Sequence, residues 1–179
     1  ELNRMVEIED AVGNKTEIGY NHLNKVAWRK DALGNKETYE YDPIGRLVTV
    51  IDQLGQRVSY EYDRVGNLIQ RIDQEGYAQK YRYDALNRLI EEIDAANQET
   101  LYSYDENGNL ISFTNPKGDT YQYVYDELDR LVKELNYQGH EKIYQLDANG
   151  NLTAQVDFNG NRTTYSYDRL NRLVETLFA

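Results

Sequence analysis

Aspartates recur at fixed intervals along this sequence, and carboxylates are side chains that can bind calcium or act as general acids and bases. One row follows a tyrosine in most copies, and the other row lies between its members. Neither row is set in the glycine-rich nonapeptide of calcium-binding β-rolls or in an EF-hand loop. Turn-capping is therefore favoured over a calcium site. The first row is Asp42, Asp63, Asp84, Asp105, Asp126, Asp147 and Asp168, and the second is Asp10, Asp31, Asp52, Asp73, Asp94 and Asp157.

Histidine and cysteine offer little catalytic chemistry in this chain. The two histidines, His22 and His140, stand 118 residues apart at or next to turn signals. A metal site or a catalytic triad needs a converging partner, and none is evident near either histidine. The absence of cysteine excludes disulfides and thiolate metal sites. We therefore expect no catalytic, metal-binding or cofactor-binding residues, and a protein that is not an enzyme.

Asp42-Pro43-Ile44-Gly45 could be a chemical site or a tight turn. Aspartate first, proline second and glycine fourth suit a type I turn that is followed by a left-handed glycine. Asp52-Gln53-Leu54-Gly55 fits the same pattern, and so do the turns that end at Gly66 and Gly108. Asn87 takes the glycine position in another copy, and asparagine also tolerates positive φ. The sequence therefore predicts corners at these positions.

The elements that carry these corners repeat every 21 residues. A leucine follows each corner in most copies, as at Leu47 and Leu89, and Arg46 and Arg88 precede it. Two tyrosine series contain 14 of the 17 tyrosines. The first series includes Tyr41, Tyr62, Tyr83, Tyr104, Tyr125 and Tyr167, and the second includes Tyr39, Tyr60, Tyr81, Tyr102, Tyr123 and Tyr165. Such a fixed period is typical of repeat architectures.

Each repeat contains two short stretches rich in Tyr, Val, Ile and Thr, which are too short for helices and favour strands. The turn type predicts that Asp42 faces Arg46 and that Tyr41 faces Leu47, giving a Tyr/Leu face. An odd repeat length would alternate the faces of successive copies unless something switches parity once per repeat. We expect either a β-bulge in the RLVTVI-type strand or a longer second turn. The prediction is an all-β antiparallel meander of roughly 16 strands that curls into a spiral sheet.

Composition narrows the classes of partner. The net charge of −11 makes nonspecific binding to nucleic acid unfavourable. No apolar run is long enough to span a membrane, so we expect no membrane insertion by this segment. The length of 179 residues suits one domain or a segment of a larger one.

Residues 45–68, GRLVTVIDQLGQRVSYEYDRVGNL, resemble the YD repeat of the RHS-repeat proteins. The shared pattern is Gly-Arg-Leu, seven residues, Gly, four residues, then Tyr-x-Tyr-Asp. The resemblance covers essentially residues 1–179 in about eight copies, with a degenerate first copy at 18–26 and a weak seventh at 143–152. It implies part of a hollow β-shell, as in bacterial toxin-complex subunits, Rhs toxins and teneurins. The bacterial shells enclose a toxic C-terminal segment.

Bacterial RHS shells end in a core segment in which an Asp-Pro-x-Gly-Leu motif accompanies self-cleavage. Here Arg46 replaces the leucine of that motif, and YDPIGR at 41–46 lies in ordinary repeat register. We therefore expect an intact turn. The sequence begins and ends within repeats, so we interpret it as an excerpt of a longer shell.

Two functions remain. The first is a structural wall of a secreted shell whose partners are neighbouring repeats and an enclosed toxin polypeptide. The alternative is an extracellular module that binds carbohydrate, such as a surface glycan, or protein through its tyrosine-rich face. Buried tyrosines would favour the wall, and an exposed tyrosine ladder would favour binding. Trp28 replaces residues that are mostly polar in the other copies, so it is either a contact residue or part of a cap.

Overall fold

The computed structural model describes residues 4–178, and within that range it consists of β-strands and turns. The predicted all-β class is confirmed, with 17 strands between Met5 and Phe178. No helix in the described part of the chain is long and apolar enough to cross a membrane.

The chain divides into two compact units, one formed by Glu1–Asn87 with Ile93–Asn97 and the other by Arg88–Glu92 with Gln98–Ala179. The first unit contains β1 (Met5–Glu9), β2 (Lys15–Tyr20), β3 (Val26–Lys30), β4 (Lys36–Tyr41), β5 (Leu47–Ile51), β6 (Arg57–Tyr62), β7 (Leu68–Ile72) and β8 (Ala78–Tyr83). Residues of β9 (Leu89–Ile93) belong to both units. The second unit contains β10 (Glu99–Tyr104), β11 (Leu110–Thr114), β12 (Thr120–Tyr125), β13 (Leu131–Leu135), β14 (Glu141–Leu146), β15 (Leu152–Val156), β16 (Arg162–Tyr167) and β17 (Leu173–Phe178).

Pairing follows chain order within each unit. From β1 to β8 each strand pairs antiparallel with the next one. The same holds from β10 to β17. In the described part of each unit, contacts join strands that are adjacent in sequence, so no second layer is present there. The predicted antiparallel meander is confirmed in each unit.

The turns between strands share one geometry, which the sequence predicted from Asp42 to Gly45. The Asp42 amide donates to the Arg46 carbonyl at 2.9 Å, and the Gly45 amide donates back to the Asp42 carbonyl at 2.9 Å. The fourth residue has positive φ and is a glycine at eleven positions. Asparagine fills that position at Asn24, Asn87, Asn97 and Asn171, and aspartate fills it at Asp129. Glycine, asparagine and aspartate adopt this backbone conformation at the lowest cost.

A β-bulge in the RLVTVI-type strand switches parity. Tyr41 pairs with Leu47 as predicted, but Glu40 pairs with Thr49, which leaves Val48 as an extra residue. Comparable register shifts occur beside Tyr20, Tyr62, Tyr104, Tyr125, Leu146 and Tyr167. The alternative of a longer second turn is wrong, because Asp52 and Gln56 close that turn with the same hydrogen bond. The bulge therefore keeps the tyrosines of successive copies on one face.

Few side chains are buried in these units. Ala154 is 2% exposed and is the buried hydrophobic residue of the described range, while Thr49 is the buried polar one. The predicted tyrosines are all half-buried, between the two outcomes that would have separated wall from binding module. A sheet without a second layer shields each ring only through its lateral neighbours, which accounts for this intermediate burial.

Candidate functional site

The turns that follow the first tyrosine series, in which Leu146 replaces one tyrosine, are called here the YD row, and they begin at Asn21, Asp42, Asp63, Asp84, Asp105, Asp126, Asp147 and Asp168. The first residue caps its own turn. At Asp42 one carboxylate oxygen accepts hydrogen bonds from the amides of Ile44 at 3.1 Å and Arg46 at 2.9 Å. The other oxygen accepts from Arg46 Nε at 2.6 Å, so the predicted acid–base pair is present. Aspartate is suited to this position because it satisfies two turn amides at once.

The capping contacts shift the carboxylate pKa values of the row. The side chain of Arg130 holds the pKa of Asp126 below its ordinary value, partly opposed by desolvation. A hydrogen bond from the Asn109 side chain does the same for Asp105, again partly opposed by desolvation. A lowered pKa favours an ionised carboxylate near neutral pH, so these aspartates act as hydrogen-bond acceptors.

Arginines of the YD row also reach the following turn. Arg46 Nη1 donates to the Asp63 carbonyl at 2.8 Å while its Nε holds Asp42. Arg88 and Arg130 reach the carbonyls of Asp105 and Asp147 in the same way, at 2.8 and 2.9 Å. A planar guanidinium presents several donors in a fixed fork, which lets one side chain bridge two turns.

Asparagines make the complementary link from the intervening turns. Asn67 Nδ2 donates to Asn87 Oδ1 at 2.9 Å, and Asn109 Nδ2 donates to Asp129 Oδ1 at 2.7 Å. Asn151 donates to Asn171 Oδ1 at 3.0 Å. We call both kinds of link between successive turns stitches. Arginine stitches and asparagine stitches alternate along the row.

This alternation has a period of 42 residues in the sequence, which is twice the backbone repeat. It was not predicted from single repeats. The fifth turn residue is arginine at Arg46, Arg88, Arg130 and Arg172, and asparagine at Asn67, Asn109 and Asn151. The side-chain acceptors Asn87, Asp129 and Asn171 occur in arginine turns, directly before the arginine. The side-chain pattern of the YD row therefore repeats every two copies.

Tyrosine hydroxyls link successive copies a second time. Tyr83 donates to the Leu68 carbonyl at 3.0 Å, and Tyr125 donates to the Leu110 carbonyl at 3.1 Å. Tyr41, Tyr104 and Tyr167 make the equivalent bonds to Val26, Leu89 and Leu152. The acceptor is the first residue of the bulged strand, where the ladder is interrupted. At these five positions the tyrosine hydroxyl therefore joins one copy to the next.

Several tyrosine rings also carry a cation on one face. The Arg46 guanidinium lies 4.9 Å from the centre of the Tyr62 ring, and that of Arg88 lies 4.8 Å from the Tyr104 ring. Burial raises the pKa of Tyr125, and it raises that of Tyr39 to about 12 with help from a hydrogen bond to Glu37. These phenols stay protonated and act as donors rather than as nucleophiles.

The histidines and the Asp42-Pro43 turn were the other candidates for chemical function. Within residues 4–178 no group of three or more histidine or carboxylate side chains is placed to hold a metal ion. His22 and His140 are exposed in turns of different units. The Asp42 carboxylate, beside Pro43, is engaged by Ile44 and Arg46 in an ordinary turn.

Trp28 packs within its own sheet. It pairs with Gly19, and a Cβ added at Gly19 would lie 2.2 Å from the indole Nε1. The Lys36 ammonium covers the ring at 4.9 Å. Glycine at position 19 is therefore required by the tryptophan, and the two residues form a local packing pair.

Crystal structures of TcdB2-TccC3-TEV and of TcdB2-TccC3 without its hypervariable C-terminal region superpose on 96% of this chain, with TM-scores of 0.75 and 0.65 and identities of 16% and 17%. A Tc holotoxin pore from Photorhabdus luminescens covers 94% of it, with a TM-score of 0.55 and 14% identity. The chain spans 10%, 11% and 13% of those three chains, respectively, and at these low identities the likeness shows the fold alone.

No curated protein matches the chain. The family model described as RHS Repeat matches residues 41–78, 62–100, 104–139 and 147–177, which together exceed half of the chain. The tyrosines and the turn aspartates of the YD row lie largely within those matches. The chain belongs to the RHS repeat family.

Proposed function

We propose that this chain is a structural wall segment of a longer RHS-repeat shell, with residues 1–179 as one excerpt of the array. The stitched YD row is the observation that carries the proposal. Arg130 and Asn109 each hold a carboxylate of their own turn and an acceptor of the next turn. These side chains serve the connection between copies, which is what a wall of indefinite length needs.

The absence of a second layer in the described part of either unit supports the same role. The free energy of a conventional domain comes largely from a buried core, whereas here only Gly19, Thr49 and Ala154 are buried in the described range. Stability must then come from contacts between neighbouring copies. Such an element covers a large area with few residues, which suits enclosure better than catalysis, and we propose no enzymatic role.

We further propose that the shell is secreted and encloses or displays a polypeptide such as a C-terminal toxin. The support is the resemblance to bacterial RHS proteins and the likeness of fold to TcdB2-TccC3 and Tc holotoxin structures. A binding module for carbohydrate is the alternative. It is less well supported, because hydroxyls such as those of Tyr83 and Tyr125 are committed to carbonyls of the same sheet.

Limited proteolysis of the complete protein that carries this array tests the proposal. We expect a nonspecific protease to leave the array and one further segment intact. Gly108→Val with Gly150→Val should open two turns of the wall and expose that segment to digestion, because valine resists positive φ. Pro43→Ala is the matched control, since it leaves the turn backbone accessible to its native φ. Equal digestion of the segment in the unmodified protein and the double variant would contradict enclosure.

A further inference from the structure

One rung of the tyrosine face differs in chemistry from its counterparts. Tyr102 pairs directly with Phe113, which pairs directly with Tyr121. The ring centres are 5.7 and 5.9 Å apart, and Tyr137 extends the series with its centre 6.0 Å from that of Tyr121. These four rings, called here the aromatic platform, form a strip roughly 15 Å long across neighbouring strands.

The repeat does not require aromatic residues at these positions. The same rung reads Tyr60, Arg71 and Gln79 in one copy. It reads Tyr144, Gln155 and Thr163 in another. Both copies have the same backbone register as the platform, so the fold accepts polar side chains there. The aromatic residues therefore add a property that the architecture does not need.

The platform remains accessible, and the carboxylates of Glu92 and Glu134 lie near its two ends. Tyr137 is 52% exposed, and the other three rings are half-buried. Glu92 lies close enough to Tyr102 to raise its pKa, after the larger effect of burial. Glu134 pairs directly with Tyr123 in the next rung. There its carboxylate accepts a hydrogen bond from the Tyr144 hydroxyl and lies 3.9 Å from the Lys142 ammonium. The platform thus combines π faces with the carboxylate of Glu92 near one end and the Glu134–Lys142 ion pair near the other.

Elsewhere the protein covers its own rings with its own cations. Tyr20, Tyr62, Tyr104, Tyr144 and Trp28 each carry an arginine or lysine within 5.0 Å of the ring centre. In the described range none of these cation contacts involves a platform ring. A ring face bordered by carboxylates attracts a cation, and a guanidinium also stacks on it.

We propose that the aromatic platform binds an arginine side chain of an extended polypeptide. The proposal rests on the proposed function, because the occupant is the polypeptide that the wall encloses or displays. The guanidinium lies over the rings of Phe113 and Tyr121, and Glu92 supplies the complementary charge. A strip of this length accommodates a few residues of extended chain.

Titration of the full chain with a capped peptide of three Gly-Arg pairs tests this site, with aromatic ring signals followed by NMR. We expect shifts at the platform rings and weaker binding, by roughly fivefold, when citrulline replaces arginine. Phe113→Gln with Tyr121→Thr should weaken binding similarly. That double variant reproduces the native rung of Tyr144, Gln155 and Thr163, so the sheet should tolerate it.

Val50→Gln with Val58→Thr introduces the same two residues on the equivalent rung of another copy and should leave peptide affinity unchanged. Equal affinity of the unmodified chain and the platform variant, or of the arginine and citrulline peptides, would overturn the proposal. Ring shifts with cellohexaose but not with the peptide would overturn it in favour of a sugar site. Protease protection of the enclosed segment is a separate readout, so loss of peptide binding leaves the wall function standing.

Discussion

The turns of the YD row and the turns that lie between them along the chain, called here the second row, have the same backbone conformation and differ in their side chains. In both rows the first amide donates to the fifth carbonyl, as at Asp42 and Asp52, and the fourth residue has positive φ. The fifth residue separates them. In the YD row it is Lys25 or else alternates between arginine and asparagine, whereas in the second row it varies through Asn14, Asn35, Gln56, Tyr77, Gln98, Asp119, His140 and Asn161.

The difference shows that turn formation and copy-to-copy connection are separate tasks. Stitches of 2.7 to 3.0 Å cross between YD turns, as from Asn109 to Asp129 and from Asn151 to Asn171. In the second row Gln74 reaches Asp52 at 3.3 Å, and a depression of about 380 Å³ lies beside Asp31 and Asp52. The same turn can therefore be a plain corner or a connector, depending on one or two side chains.

The largest effect should come from the backbone that the rows share. Gly66→Val and Gly55→Val should each lower the free energy of unfolding by about 1–2 kcal/mol, because a β-branched residue resists positive φ. Nothing lies within 4 Å of a Cβ at either position, so crowding adds no cost. Urea unfolding of both variants measures the effect. A clearly unequal loss would mean that the turns of the two rows are not equivalent.

Removing an arginine stitch should lower stability more than removing the equivalent side chain of the second row. Arg130→Ala should cost about 1 kcal/mol, because Asp126 and the Asp147 carbonyl both lose a donor. Gln56→Ala at the equivalent position of the second row is the control and should change stability by less than about 0.5 kcal/mol. Chemical unfolding under identical salt compares them. Equal losses would show that the fifth residue has no special role in the YD row.

Removing an asparagine stitch should have a smaller effect. Asp129→Gly relieves a positive φ but takes the acceptor from Asn107 and Asn109. Asn97→Gly makes the matched change in the second row. We expect Asp129→Gly to be less stable than Asn97→Gly by about 0.5 kcal/mol. Thermal unfolding of the two variants gives this difference, and the opposite order would contradict a stabilising role of the asparagine stitch.

Acid should loosen turns of both rows slightly. The pKa values of Asp105 and Asp126 in the YD row and of Asp31 in the second row lie below their ordinary value. A carboxylate with a lowered folded pKa stabilises the fold above about pH 4, and that contribution is lost as the pH falls through the folded value. NMR titration of the side-chain carboxyls should give midpoints below that of an unstructured aspartate. Midpoints at or above it would contradict the capping contacts.

Local pairing could be predicted from the sequence because turn type fixes register. The pairing of Tyr41 with Leu47 and the contact of Asp42 with Arg46 both follow from a corner at 42–45. Parity alone limited the cause of the switch between faces to two alternatives, a β-bulge or a longer second turn. The stitch from Asn67 to Asn87 could not be predicted from one repeat, because it depends on how closely successive turns approach. Its trace is the alternation of arginine and asparagine, which becomes visible only when repeats are compared in pairs.

The environment of the tyrosines was harder to predict than their position. Period-two alternation places Tyr39 and Tyr41 on one face, but it does not show whether another layer covers them. Their half-burial arises from neighbours such as Val50, which is paired with Tyr39. The aromatic platform was missed for a related reason, since Phe113 and Tyr121 belong to different strands and become neighbours only through register.

The near absence of buried side chains has a consequence for how such a chain diverges. In an ordinary core one substitution must be matched by its packing partners, whereas here Val50 points to one face and Thr49 to the other. A change on one face leaves the chemistry of the other face largely untouched. Each face of the sheet can therefore change under selection without disturbing the other, while the stitches of the YD row hold neighbouring copies together.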